Sequence, residues 1–126
     1  MSVLIDTSVW VDHFRNRNDA LVELIEADLA LNHPMVLAEL SCGTPPEPRA
    51  KTLHSVGLLR SCNQAGLRET TDFIEREKLY GLGCGLVDML LLASTLITPD
   101  ARLWTLDKRL ASMARRFGVA YQVPVH

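Results

Sequence analysis

Leu103-Trp104-Thr105-Leu106-Asp107 reads as a short strand ending on an acid, and the helical pattern directly after it decides the fold. Leu110, Met113, Ala114 and Phe117 recur at helical spacing, and Gly118 is placed to close that helix. Residues 119–123 then read as a final strand. The N-terminus repeats the arrangement. Val3-Leu4-Ile5 is a brief apolar run of the kind a buried strand carries, Asp6 follows it, and Thr7 and Ser8 can cap a helix whose face is Val9, Trp10, His13 and Phe14. Strand, acid, helix at both ends of the chain predicts an α/β fold with a mainly parallel sheet.

The stretch between these ends supports the alternation. Leu21, Leu24 and Ile25 suggest a short helix, and residues 29–31 a second strand. His33-Pro34 breaks the chain, and Val36, Leu37 and Leu40 give helical spacing up to Gly43. Thr44-Pro45-Pro46-Glu47-Pro48 is too short for a domain linker and reads as a loop. Residues 49–56 look helical, residues 58–62 are a candidate strand, and Leu67, Phe73, Ile74 and Tyr80 suggest a helix closed by Gly81 and Gly83. Leu86, Leu90, Ala93, Leu96 and Ile97 form a helical stripe, with Asp88, Leu92 and Thr95 on another face.

Composition sets the outer limits. A chain of 126 residues, 48% apolar and 22% charged, fits one soluble domain spanning residues 1–126 with a core of its own. The net charge of −2 provides no global basic field for a nucleic acid, so any such partner must rely on local patches. Cys42, Cys62 and Cys84 have no metal-ligand spacing and read as buried, reduced thiols of a cytoplasmic protein. No signal peptide is expected, because Asp6 interrupts the N-terminal apolar run, and residues 86–97 are too few to span a bilayer. His13, His33, His54 and His126 make no ligand pattern, and Gly81-Leu82-Gly83-Cys84-Gly85 lacks the strand-to-helix context of a phosphate loop.

The chemistry rests on carboxylates. In parallel sheets ligands bind beyond the carboxyl ends of the strands, and Asp6 and Asp107 both stand there. Glu39 and Asp88 sit within apolar helical stretches, where an unpaired charge is expensive to bury. Each has an ordinary reading: Asp6 and Asp107 as helix caps, Glu39 as a solvated helix residue, Asp88 as a first-turn acid favoured by the helix dipole. The four together carry the argument.

Those four acids lie in motifs that resemble a known family. Val3-Leu4-Ile5-Asp6-Thr7-Ser8-Val9-Trp10 resembles the opening motif of PIN domains. Val36-Leu37-Ala38-Glu39-Leu40 is similar to the second motif, Gly85-Leu86-Val87-Asp88 to the third and Leu103-Trp104-Thr105-Leu106-Asp107 to the fourth. Order and spacing agree over nearly the whole chain, and the set looks most like the VapC toxins of VapB–VapC toxin–antitoxin modules. The resemblance implies a three-layer PIN-like fold, and an endoribonuclease that uses Mg²⁺, or Mn²⁺, to cut RNA. It further implies a homodimer silenced by a cognate VapB-type antitoxin. Met89 stands where many relatives have a small residue and Leu110 where many have an aromatic, both apolar changes that leave the acids in place.

The same assignment follows from charge. Two carboxylates ~5 Å apart repel by about 3 kcal/mol at an effective dielectric of ~20, so four converging acids require cations or protons. Asp6 and Asp88 are the expected direct ligands, with Glu39 and Asp107 completing the shell through water or a second ion. Ser8 and Thr105 are candidates to orient water or phosphate. Lys108 and Arg109, beside Asp107, are candidates to hold RNA, with Arg15, Arg17, Arg49 and Lys51 behind them. Trp10, Phe14 and Leu24 are candidates for the apolar groove of an antitoxin helix. Arg115 and Arg116 are accounted for by the helix dipole. A receiver-type phosphoacceptor would need a second acid beside Asp6, and an aspartyl phosphatase an Asp where Ser8 stands. The alternative of another class is a non-catalytic PIN-fold module that binds RNA or protein.

Overall fold

The structure, a computed structural model, describes residues 1–125; His126 lies outside the described residues. The elements run β1 (Ser2–Ile5), α1 (Thr7–Arg15), α2 (Asp19–Glu26), β2 (Ala30–Leu31), α3 (Pro34–Cys42), α4 (Arg49–Gly57), α5 (Leu67–Glu77), α6 (Leu86–Leu96), β3 (Ala101–Trp104) and α7 (Lys108–Arg116). The strands form one parallel sheet in the order β2-β1-β3. Leu4 pairs with Leu31 on one side, and Ile5 with Trp104 on the other.

The chain thus runs from β1 to β2 on one side and then crosses to β3 on the other side of β1. This is the strand-order reversal that opens a crevice beyond the carboxyl ends of the strands. One backbone bond places the crevice: Asp6 N donates to Trp104 O at 2.9 Å, tying the end of β1 to the end of β3. Val3, Leu4 and Ile5 are fully buried, as a central strand covered on both faces requires.

Several expected elements are shorter than their sequence suggests. Residues 58–62 and 119–123 are not strands; each makes an isolated bridge, Asn32 with Ser61 and Leu103 with Ala120. The short apolar runs there meet one partner residue and then turn away, so no ladder propagates. β3 ends at Trp104, so Thr105 and Leu106 separate it from Asp107. The helix closing before Tyr80 ends at Lys78, which itself takes the left-handed conformation (φ 55°) in place of a glycine. Asp6, not Thr7 or Ser8, caps α1.

The core also divides differently. In α6 the residues from Met89 to Thr95 are buried all round, while Leu86, Leu96 and Ile97 at its ends are exposed. The helix is threaded between β3, α5 and α7, so its middle is covered on every side and the regular stripe loses meaning at the ends. Its buried hydroxyls are satisfied: Thr95 Oγ1 donates to Leu91 O at 2.8 Å. Ser94 Oγ accepts from Ala65 N at 3.0 Å and lies 3.2 Å from His33 Nε2. His33 Nδ1 in turn accepts from Met35 N at 3.0 Å and so caps α3. That bond needs a ring lacking a proton at Nδ1, and burial lowers the His33 pKa in the same direction. The break at His33-Pro34 is therefore a structured helix start that fixes α3 and the acid it carries. Cys62 is buried and Cys84 partly so, whereas Cys42 is exposed, contrary to the expectation for all three thiols.

Candidate active site

Asp6 is the most firmly held acid. It is 6% exposed, and its Oδ2 accepts from Ser8 Oγ at 2.6 Å, Thr105 Oγ1 at 2.8 Å and Ser8 N at 3.4 Å. The two hydroxyls are anchored from behind: Leu106 N donates to Ser8 Oγ at 2.9 Å and Asp107 N to Thr105 Oγ1 at 3.0 Å. Each hydroxyl has one proton, and both protons go to Asp6. Ser8 and Thr105 thus orient Asp6, and are not free to meet water or phosphate as donors. Three donors converge on Oδ2, while Oδ1 has no protein donor among the described residues.

The remaining acids are set by helix starts. Asp107 caps α7, its Oδ1 accepting from Leu110 N at 2.9 Å. Asp88 lies in the first turn of α6 and accepts from Gly85 N at 3.3 Å. Glu39 projects from α3 and is exposed; Thr7 Oγ1, from the first residue of α1, donates to its Oε1 at 2.6 Å. The capping and first-turn readings therefore hold for Asp6, Asp107 and Asp88, and such bonds fix the rotamer of each carboxylate. Thr7 was legible only as a capping residue; its partner is 32 positions away, which no local pattern reveals.

The acids act on one another. Burial raises the Asp88 pKa above the usual carboxylate range, the bond from Gly85 opposes this, and Asp6, Asp107 and Glu39 each push it higher. All four acids therefore share one field at the carboxyl end of the sheet. None of the four forms an ion pair among the described residues. Cys84, just before α6, feels the same field: burial raises its pKa, Asp88 and Asp107 add to the rise, and Arg109 opposes them. No sequence pattern had placed this thiol beside the acids.

The donor set fits a hard divalent cation, being four carboxylates without cationic partners. Among the described residues no three Asp, Glu, His or Cys side chains are gathered tightly enough to bind one ion directly.

The basic residues fall into two groups. Arg17 is paired with Asp19 at 2.9 Å, and Arg49 donates to Gly43 O and Ser41 O, closing the Pro-rich loop. Arg109 forms no ion pair among the described residues; its Nη1 lies 3.4 Å from Gly83 O. Gly83 has a φ of 91°, a conformation that favours glycine, and a Cβ there would stand 2.7 Å from the Arg109 guanidinium that lies across it. Of the apolar groove residues, Trp10 and Phe14 line a cavity of about 420 Å³ with Ile25, Pro48 and Val56. Leu24 is buried in the core instead. Among the described residues no helix is long and apolar enough to cross a membrane.

Comparison with known proteins agrees with this geometry. A family model described as "PIN domain" matches residues 3–116. The chain is also similar to "Ribonuclease VapC32" of Mycobacterium tuberculosis, from strain CDC 1551 / Oshkosh and from strain H37Rv. To each it is 39% identical over 118 residues, covering 94% of both chains.

Proposed function

Because the chain belongs to the PIN-domain family, we propose that it is a divalent-cation-dependent endoribonuclease, the toxin of a type II toxin–antitoxin module. The VapC-type relatives support the activity, and one structural observation carries the site. Asp6, Glu39, Asp88 and Asp107 share a field, and none of them forms an ion pair among the described residues.

In this reading Asp6 and Asp88 hold the ion directly, and Glu39 and Asp107 complete its shell through water or a second ion. A bound Mg²⁺ or Mn²⁺ supplies Lewis-acid polarisation of the phosphoryl group and a more acidic attacking water. The chain's own residues do the positioning. Ser8 and Thr105 hold one oxygen of Asp6 and leave the other open; Thr7 holds Glu39; the helix starts hold Asp88 and Asp107. Arg109, which lies across Gly83 two residues after Asp107, is the residue assigned to meet a phosphate in this reading. The reaction is hydrolysis: water adds to phosphorus and the ribose oxygen opposite it leaves.

A toxin of this kind works in the cytoplasm beside a VapB-type antitoxin, whose apolar helix fits the cavity at Trp10 and Phe14. A homodimer is part of the same reading, as is a single PIN-like domain over residues 1–126. The decisive experiment is RNA cleavage across a Mg²⁺ titration. Cleavage that rises with Mg²⁺ and stops with chelator is the expected result, whereas binding without cleavage at any Mg²⁺ or Mn²⁺ concentration would establish a non-catalytic module.

Arg109→Ala tests the substrate side. It should weaken RNA binding and lower the slope of log affinity against log salt by roughly one unit. Identical slopes in a salt series would remove Arg109 from the substrate path.

A further inference from the structure

We infer that helix α7 carries a phosphate-tracking trough that leads a single RNA strand away from the acidic crevice; this rests on the nuclease reading above. A cavity of about 430 Å³ lies along α7, lined by Leu82, Lys108, Arg109, Ser112, Met113 and Arg116. Three of its six lining residues are cationic and none is acidic. In a chain of net charge −2 this concentration of one sign matters, since phosphate binding must be local. None of Lys108, Arg109 and Arg116 forms an ion pair among the described residues.

The order of the residues provides a direction. Lys108, Ser112 and Arg116 are spaced four apart, so they align on one helix face at intervals of ~6 Å. The row starts beside Asp107, which caps α7 at the crevice, and ends in the last turn of the same helix. Arg109 joins the two regions, lying across Gly83 and acting on Cys84 together with Asp88 and Asp107. Arg116 is held in place by its bond to Glu77 O at 3.2 Å and by packing over the Phe117 ring at 5.3 Å. It still lines the cavity, so its charge stands at the far end of the row. Exposed Leu82, beside buried Met113, forms an apolar wall against which a base or ribose can lie. One file of cations on one helix suits one strand, so the favoured ligand is single-stranded RNA extending beyond the scissile phosphate.

The test is affinity against length, using single-stranded oligoribonucleotides of two to ten nucleotides in Ca²⁺ so that turnover does not interfere. Wild-type affinity should grow with length. Arg116→Ala and Ser112→Glu should each remove most of the gain from lengthening, on the order of five-fold, and lower the salt slope by about 0.7 per lost contact. Arg116→Lys should retain it, and Arg68→Ala, on the remote helix α5, should behave as wild type. Ser112→Glu matters because Arg116 also packs, and loss of that packing could mimic loss of binding. If the wild type cuts RNA but Ser112→Glu and Arg116→Ala keep the full length dependence, the trough is wrong and the nuclease reading stands. If length dependence is lost as expected but no metal supports cleavage, the trough holds and the nuclease reading fails. A duplex bound as tightly as the single strand, with equal sensitivity to both variants, would overturn the single-strand assignment.

Discussion

Asp6→Asn should reduce RNA cleavage by at least ~100-fold while leaving the protein folded. Even partners in the shell behind a metal ligand cost about 10- to 100-fold when removed, and Asp6 is assigned to the ion itself. The substitution is clean for a structural reason. The amide carbonyl can occupy the place of Oδ2 and still accept from Ser8 Oγ, Thr105 Oγ1 and Ser8 N. The amide NH₂ then replaces the open oxygen, and a donor group cannot ligate a cation. Asp6→Ala would be a poorer test, since it strips the cap of α1 (about 1 kcal/mol) and orphans two hydroxyls. Cleavage rates of wild type and Asp6→Asn, with circular dichroism and melting curves for both, decide the matter. A folded variant that cuts at the wild-type rate would show that the acids are not the site.

Asp88→Asn should make the cation-free protein more stable and less responsive to Mg²⁺. The sign follows from the raised pKa of Asp88, caused by burial and by Asp6, Asp107 and Glu39. A carboxyl whose pKa is higher folded than unfolded favours folding fully below its unfolded pKa, roughly 3.9. That contribution is lost as pH rises through the folded value. At neutral pH without cations the ionised Asp88 is therefore a cost, which Asn removes while still accepting from Gly85 N. Its melting temperature in chelator at pH 7 should exceed the wild type's. The gap should close as pH falls into the carboxylate range. Mg²⁺ reverses the ranking: at a hundred times its Kd it adds about 2.7 kcal/mol to the wild type, and less than half of that to the variant. Differential scanning of both proteins with chelator and with Mg²⁺ measures all of this. An equal Mg²⁺ gain in the two proteins would remove Asp88 from the metal site, and a less stable variant in chelator would contradict the shared field.

Much of this protein is determined by the sequence alone, and the reason is locality. The run Val3-Leu4-Ile5 before Asp6, and the stripe of Leu110, Met113 and Ala114 after Asp107, declare strand and helix through short-range periodicity. Parallel order results, because helices must return the chain to the same end of the sheet. Topology then puts both acids beyond the carboxyl ends of the strands, Asp6 directly and Asp107 after Thr105 and Leu106. Tertiary structure alone decided the rest. Residues 119–123 have strand-like composition, but a strand exists only where a partner continues to pair, and only Ala120 finds one. The ends of α6 look like its middle in sequence, yet only the middle is enclosed by other elements. Ser8 and Thr105 lie 97 positions apart and meet on a single oxygen of Asp6, just as Thr7 meets Glu39. Hydrogen bonds reach across about 3 Å and are indifferent to separation along the chain. The identity of the acids was thus written locally, whereas their orientation, and the burial and mutual repulsion that raise the Asp88 pKa, arise only once the chain has closed.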